Sequence, residues 1–135
     1  MILFSIDAGG DIYYHNPQQD GKALRIGLEN PNDFSQVIGV VTLENGSLCG
    51  SSGSRRKWGR FHHIIDPYKM SSPTEIIATW TTATPTMLAD GLATTLFFVS
   101  PEKLQSLGQF EYLILHADMS IEKSAGFPAE LFHKN

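Results

Sequence analysis

Short apolar runs dominate this chain, and nearly every one is closed by glycine, proline or asparagine before it reaches the length of a helix. That punctuation restricts the fold to short strands, because an amphipathic helix needs an apolar stripe sustained over about three turns. Only one stretch sustains it, through Met87, Leu88, Leu92, Leu96 and Val99. The sequence therefore predicts an α+β domain in which a mainly antiparallel sheet packs against one long and one short helix. No repeat interrupts residues 1–135, and 135 residues suit a single core.

The first run, residues 1–6, reads as a buried strand ending at Ala8-Gly9-Gly10, and residues 12–15 continue as a second strand. Residues 24–28 form a third, closed by Asn30-Pro31. Residues 37–44 and 47–51 flank Asn45-Gly46, a dipeptide whose tolerance of positive φ suits a two-residue hairpin turn. Residues 60–65 alternate as a strand up to Asp66-Pro67, a loop covers 66–72, and the β-branched run 75–82 is another strand. Thr84-Pro85 supplies an N-cap hydroxyl followed by proline, placing the long helix at 85–99. Ser100-Pro101 starts a short helix that ends near Gly108. Residues 112–116 and 120–123 pair as a final hairpin, and the tail 126–135 carries no clear signal.

Ten basic and 14 acidic residues give a net charge of -4, with basic side chains gathered only at Arg55, Arg56, Lys57 and Arg60. A nucleic-acid surface needs a broad positive face, so that class is excluded, whereas one bound nucleotide needs only a local cluster. The start, Met1 to Asp7, is too short and too soon interrupted by charge for a signal or a membrane span, which predicts a cytoplasmic chain. A single cysteine, Cys49, forms no internal disulfide and suits a buried apolar position.

Four segments carry side chains suited to chemistry. Asp90 and Thr94 stand four apart on the long helix, so their oxygens share a face able to hold a small hard cation such as Mg2+. A structural role fits as well, with Asp90 near the positive helix end and Thr94 bonded back to a carbonyl. His63 and Asp66 bring imidazole and carboxylate to a strand end, where the alternatives are a satisfied strand histidine and a turn cap. Ser52, Gly53 and Arg55 offer amides, hydroxyl and guanidinium to a diphosphate, or else form a solvated loop. Gly9 and Gly10 let a ligand approach the backbone, and Asp11 can accept from a ribose hydroxyl or ring amine; a tight turn explains the glycines equally well.

In order, Ala8-Gly9-Gly10-Asp11-Ile12, Ser52-Gly53 followed by Arg55, His63-Ile64-Ile65-Asp66-Pro67 and Ala89-Asp90-Gly91-Leu92-Ala93-Thr94 resemble the successive signatures of the ApbE family. Its members are FAD:protein FMN transferases, formerly called thiamine biosynthesis lipoproteins. The resemblance covers nearly the whole chain and corresponds to the C-terminal, T-fold-related half of a full member. It implies that Asp90 and Thr94 ligate Mg2+ beside the FAD diphosphate, with His63 and Asp66 at the reaction centre. Gly9, Gly10, Asp11, Ser52, Gly53, Arg55 and Ile64 then contact the flavin nucleotide.

The implied reaction moves FMN from FAD to a Thr or Ser hydroxyl of an acceptor protein, with AMP leaving and His63 as the base. Full members are exported, so the resemblance implies a periplasmic location where the chain's own start implies the cytoplasm. They also carry an N-terminal half that supplies flavin contacts and a carbonyl ligand for the metal. That half is expected to come from a second chain, or the exposed surface pairs two copies. Where the family reads Arg-Thr-Gly after Asp-Pro, this sequence reads Tyr68-Lys69-Met70, which alters the loop beside the ligand. Two further readings stay open, a chain that binds FAD or adenine nucleotide without chemistry and a self-associating remnant.

Overall fold

A computed structural model describes residues 2–132. Six antiparallel strands form the main sheet in the order β1 (Phe4–Ala8), β2 (Asp11–His15), β5 (Gly46–Ser52), β8 (Ile76–Ala83), β9 (Glu111–His116) and β10 (Ile121–Lys123). A second sheet, ordered β11-β4-β3, combines β3 (Leu24–Asn30), β4 (Asp33–Leu43) and β11 (Ala129–Leu131). A small hairpin joins β6 (Lys57–Trp58) to β7 (Phe61–His62). Helix α1 (Thr86–Thr95) lies along β5 and β8 on the main sheet, and α2 (Pro101–Leu104) runs into a 3₁₀ turn at Gln105–Leu107.

Strand alternation sorts the main sheet's side chains onto two faces. One face carries Leu48, Ala78, Leu113 and Leu115, which meet Leu28, Val41 and Leu43 of the second sheet around Tyr14 and Phe127. Each leucine, valine or phenylalanine among them contributes about 1.5–3 kcal/mol on leaving water. The opposite face carries Ile114 against Leu92, Leu96 and Leu104, so the helices are held by a smaller apolar cluster. The layers are thus sheet, sheet and helix, with α1 seated on β5 and β8.

Several expectations are corrected. Asn45-Gly46 does not make a hairpin: β4 pairs with β3 and β11, β5 with β2 and β8, and the turn is a corner between sheets. Both edges of each flanking strand are already paired, and only Gly46 takes the positive φ, at 100°. The first strand forms from Phe4, but every residue in it is exposed, because β1 lies at the sheet edge and, among the described residues, pairs with β2 alone. Met1 and residues 133–135 lie outside the described residues.

The strand expected at 60–65 shrinks to Phe61–His62. His63 N donates to Arg56 O at 3.1 Å and Ile64 N to His62 Nδ1 at 3.3 Å, so the backbone turns inward instead of pairing with a strand. Burial still alternates there, with His62 and Ile64 buried and His63 and Ile65 exposed. Helix α1 is shorter than the expected 85–99, its N-cap is Pro85, and no side chain caps it. Strands β9 and β10 pair as the sequence suggests, and β11 supplies order to part of the unassigned tail. No helix among the described residues is long and apolar enough to cross a membrane.

Candidate functional site

The site begins where β2 and β5 part. Their pairing runs from Tyr14↔Gly46 to Ile12↔Leu48, while β5 continues along β8 as far as Ser52↔Ala78. Gly50, Ser51 and Ser52 therefore border an open groove on the side β2 has left, and a cleft of about 1050 Å³ forms there. The β1–β2 turn closes one end. Gly9 and Gly10 both take positive φ, at 71° and 101°, and a Cβ on either would meet nothing within 4 Å, so their backbone faces open space. One amide of this turn is already used, since Gly10 N donates to Asp7 Oδ1 at 2.8 Å.

Helix α1 forms another wall. Ala89, Leu92 and Ala93 are buried against the sheet, which turns Asp90 and Thr94 toward the cleft. Thr94 does not bond back to its own helix, as Thr95 does to Gly91 O at 2.7 Å; its hydroxyl lies 2.9 Å from Ser51 Oγ. His63, exposed just beyond β7, lines the same cleft. The carboxylate, the hydroxyl one helical turn away and the imidazole thus share one space.

Electrostatics distinguish these groups. Burial and the charge of Asp90 push the Asp11 carboxyl above its ordinary value, against hydrogen bonds from the Cys49 thiol and the Gly50 amide. Two carboxylates facing one cleft create a negative spot that a cation would relieve. Burial first, and then the charge of Asp11, pushes the Cys49 thiol up to about 12, which makes it inert and consistent with a buried apolar role. Partial burial first, and then the charge of Arg56, hold the His63 imidazole below its ordinary value, which favours the neutral form able to accept a proton.

Ser52 and Arg55 line this cleft too. Ser52 Oγ lies 2.6 Å from Ser54 Oγ and accepts from Ser54 N at 3.2 Å, closing the loop on itself. Arg55 is engaged in a two-point contact with Glu29, with Nη2 to Oε2 at 2.5 Å, and its guanidinium lies 4.5 Å from the Phe34 ring centre. Of the two arginines, Arg56 is the one near enough to His63 to influence it.

Three expected residues lie elsewhere. Asp66 lines a separate hollow, and its Oδ1 accepts from Tyr68 N at 2.9 Å and Lys69 N at 3.2 Å, the turn-capping alternative. Ile64 is buried, and Gly53 packs beneath the His62 ring. His62 is the satisfied histidine of the pair: Nδ1 accepts from Ile64 N, which leaves Nε2 to donate to Pro73 O at 2.9 Å.

Sequence reasoning reaches neither the contact of Ser51 with Thr94 nor the parts played by Glu29 and Trp80. Ser51 lies in β5 on the same face as Cys49, but no local signal tells that this face meets the helix. Trp80 lies across Gly50, where a Cβ would come within 2.9 Å of the indole, and it supplies an aromatic wall. Glu29 reaches Arg55 from the other sheet, which no local signal reveals.

Residues 3–114 match the model of the ApbE family. The chain belongs to the ApbE family. It is 28% identical over 130 residues to an FAD:protein FMN transferase of Klebsiella pneumoniae, covering 92% of this chain and 37% of that protein. The corresponding Haemophilus influenzae protein is 29% identical over 126 residues, covering 85% and 36%. This ApbE chain therefore spans little more than a third of the curated relatives it matches. The crystal structure of an ApbE protein from Thermotoga maritima superposes with a TM-score of 0.80 at 24% identity, over 95% of this chain and 45% of that one. The flavin transferase ApbE from Vibrio cholerae gives 0.66 at 23% identity, over 89% and 41%. The mainly antiparallel sheet with two helices is thus the ApbE fold.

Proposed function

We propose that this ApbE chain carries the metal- and phosphate-handling part of an FAD:protein FMN transferase. The observation that supports this most is the sharing of one cleft by Asp90, Thr94, His63 and the Gly9-Gly10 turn. Among the described residues no three His, Cys, Asp or Glu side chains gather as a metal site. Mg2+ does not require one, since it accepts one or two protein oxygens and completes its shell with phosphate and water. Asp90 and Thr94 offer two such oxygens, and the repulsion between Asp11 and Asp90 favours a cation between helix and turn. Bound there, Mg2+ would offset charge on the FAD diphosphate.

The protein's own part in the reaction is orientation and proton transfer. The open turn at Gly9 and Gly10 admits a nucleotide close to the backbone. His63, held neutral, takes the proton of an acceptor Thr or Ser hydroxyl as its oxygen bonds to the FMN-side phosphorus. The bond from that phosphorus to the bridging oxygen breaks, and AMP leaves with the electron pair. An acceptor protein is the implied partner. The apolar edge at Phe4 and Ile6, 40% and 56% exposed, suits a further chain segment or a second copy of this one.

A second reading, binding of FAD without transfer, is favoured by the Asp66 carboxylate, which caps the turn at Tyr68 and lines a separate hollow instead of joining His63. One assay separates the two: AMP release from FAD, with a Thr-bearing acceptor, measured with Mg2+ and with chelator. Transfer predicts metal-dependent AMP release that Asp90→Ala abolishes. Saturable FAD binding with no AMP and no flavin on the acceptor would leave only the binding reading.

A further inference from the structure

Besides the apolar contact of Leu92 and Leu96 with Ile114, helix α1 meets β5 and β8 through small polar side chains. Thr79 and Thr81 of β8 are wholly buried, and their hydroxyls donate to the carbonyls of Ala93 and Ala89. Two strand residues span about 6.8 Å and four helical residues about 6 Å, so the two bonds match in spacing and fix the helix along its axis. On β5, Ser47 Oγ meets Thr86 Oγ1 at 2.6 Å and Ser51 Oγ meets Thr94 Oγ1 at 2.9 Å. Of these four contacts, only Ser51 with Thr94 lies in the candidate cleft.

We propose that Ser51 is a positioning residue for the cation, an inference that rests on the reading of Asp90 and Thr94 as its ligands. A threonine hydroxyl has one proton, and a cation needs the oxygen's lone pairs facing it. Either hydroxyl of the Ser51–Thr94 pair can donate, and with Thr94 as donor its lone pairs are left to face the cleft. A helical threonine otherwise bonds to a carbonyl in the preceding turn, the arrangement Thr95 adopts with Gly91. Ser51 competes with that back-bond and keeps Thr94 from withdrawing its oxygen. Removing the Ser51 hydroxyl lets Thr94 rotate to the carbonyl of Asp90, and the cation loses one ligand while the fold is unchanged.

The test is Mn2+ titration of the protein alone, followed by loss of the free-ion EPR signal, for wild type, Ser51→Ala, Ser51→Thr and Asp90→Ala. Ser51→Ala is expected to weaken Mn2+ binding by about tenfold, the usual loss for a group that orients a metal ligand. Its thermal midpoint stays within about 2 °C of wild type. Ser51→Thr keeps the hydroxyl and the affinity, and Asp90→Ala binds least. Unchanged affinity in Ser51→Ala together with loss in Asp90→Ala would overturn the role of Ser51 and leave the cation reading intact. Equal affinity in all four proteins, or no binding in any, would overturn both.

Discussion

Replacing Gly53 with alanine tests how firmly the segment that presents His63 is held. A Cβ at Gly53 would lie 2.6–2.7 Å from three atoms of the His62 ring, namely Cγ, Cδ2 and Nδ1. Ordinary carbon contacts need about 3.5 Å, so the ring must retreat by about 1 Å. It cannot do so at no cost, because Nε2 is bonded to Pro73 O at 2.9 Å and Nδ1 accepts from Ile64 N at 3.3 Å. Overpacking costs about 1–3 kcal/mol, and weakening one of the hydrogen bonds adds about 1 kcal/mol, for a total near 2–4 kcal/mol. At about 4 °C per kcal/mol for a chain of this size, the thermal midpoint falls by roughly 8–16 °C. Circular dichroism during heating measures this directly. A midpoint within about 2 °C of wild type would refute the packing argument.

Gly91→Ala should have the opposite sign: a Cβ there meets nothing within 4 Å, and alanine in an exposed helix adds about 0.5–1 kcal/mol, read as a higher melting temperature. Asp11→Asn should raise stability at neutral pH while weakening ligand binding. The native Asp11 pKa is raised, so the folded state holds that proton more tightly and wild type loses stability as pH rises through the ordinary aspartate range. The gain from asparagine should therefore vanish in acid, and a pH-independent gain in melting temperature would exclude this cause. Cys49, with its thiol at about 12, should resist a thiol reagent in the native protein at neutral pH and react fully after denaturation. If His63 is the base, the acid limb of the rate profile should fall below the ordinary imidazole value, since its neutral form persists to lower pH. His63→Gln should remove that limb.

Much of the fold could be read from local signals. The Gly9-Gly10 turn, the hairpin ending at Lys123 and the strand from Ile76 follow from turn chemistry and β-branched runs, all of which act within a few residues. The corner at Asn45-Gly46 could not, because a glycine of positive φ serves a hairpin and a change of sheet alike, and only the distant strands β3, β8 and β11 decide between them. The site divides in the same way. Asp90 and Thr94 share a face by helical spacing, and the structure aims both at the groove. Asp66 follows His63 by three residues, yet it lines a separate hollow and its carboxylate serves the turn at Tyr68. Ser51 acquires its contact only when helix and sheet come together across 43 residues, a separation no motif spans.

The most direct test of the account maps ligand contacts by two-dimensional NMR while FAD and Mg2+ are added to the isotope-labelled protein. The account predicts that the largest shifts fall on the amides of Gly9, Gly10, Ser51, His63 and Thr94, together and in one titration. Shifts confined to the opposite end of the sheet, near Gln105 and Phe110, would contradict it, as would a spectrum that FAD leaves unchanged.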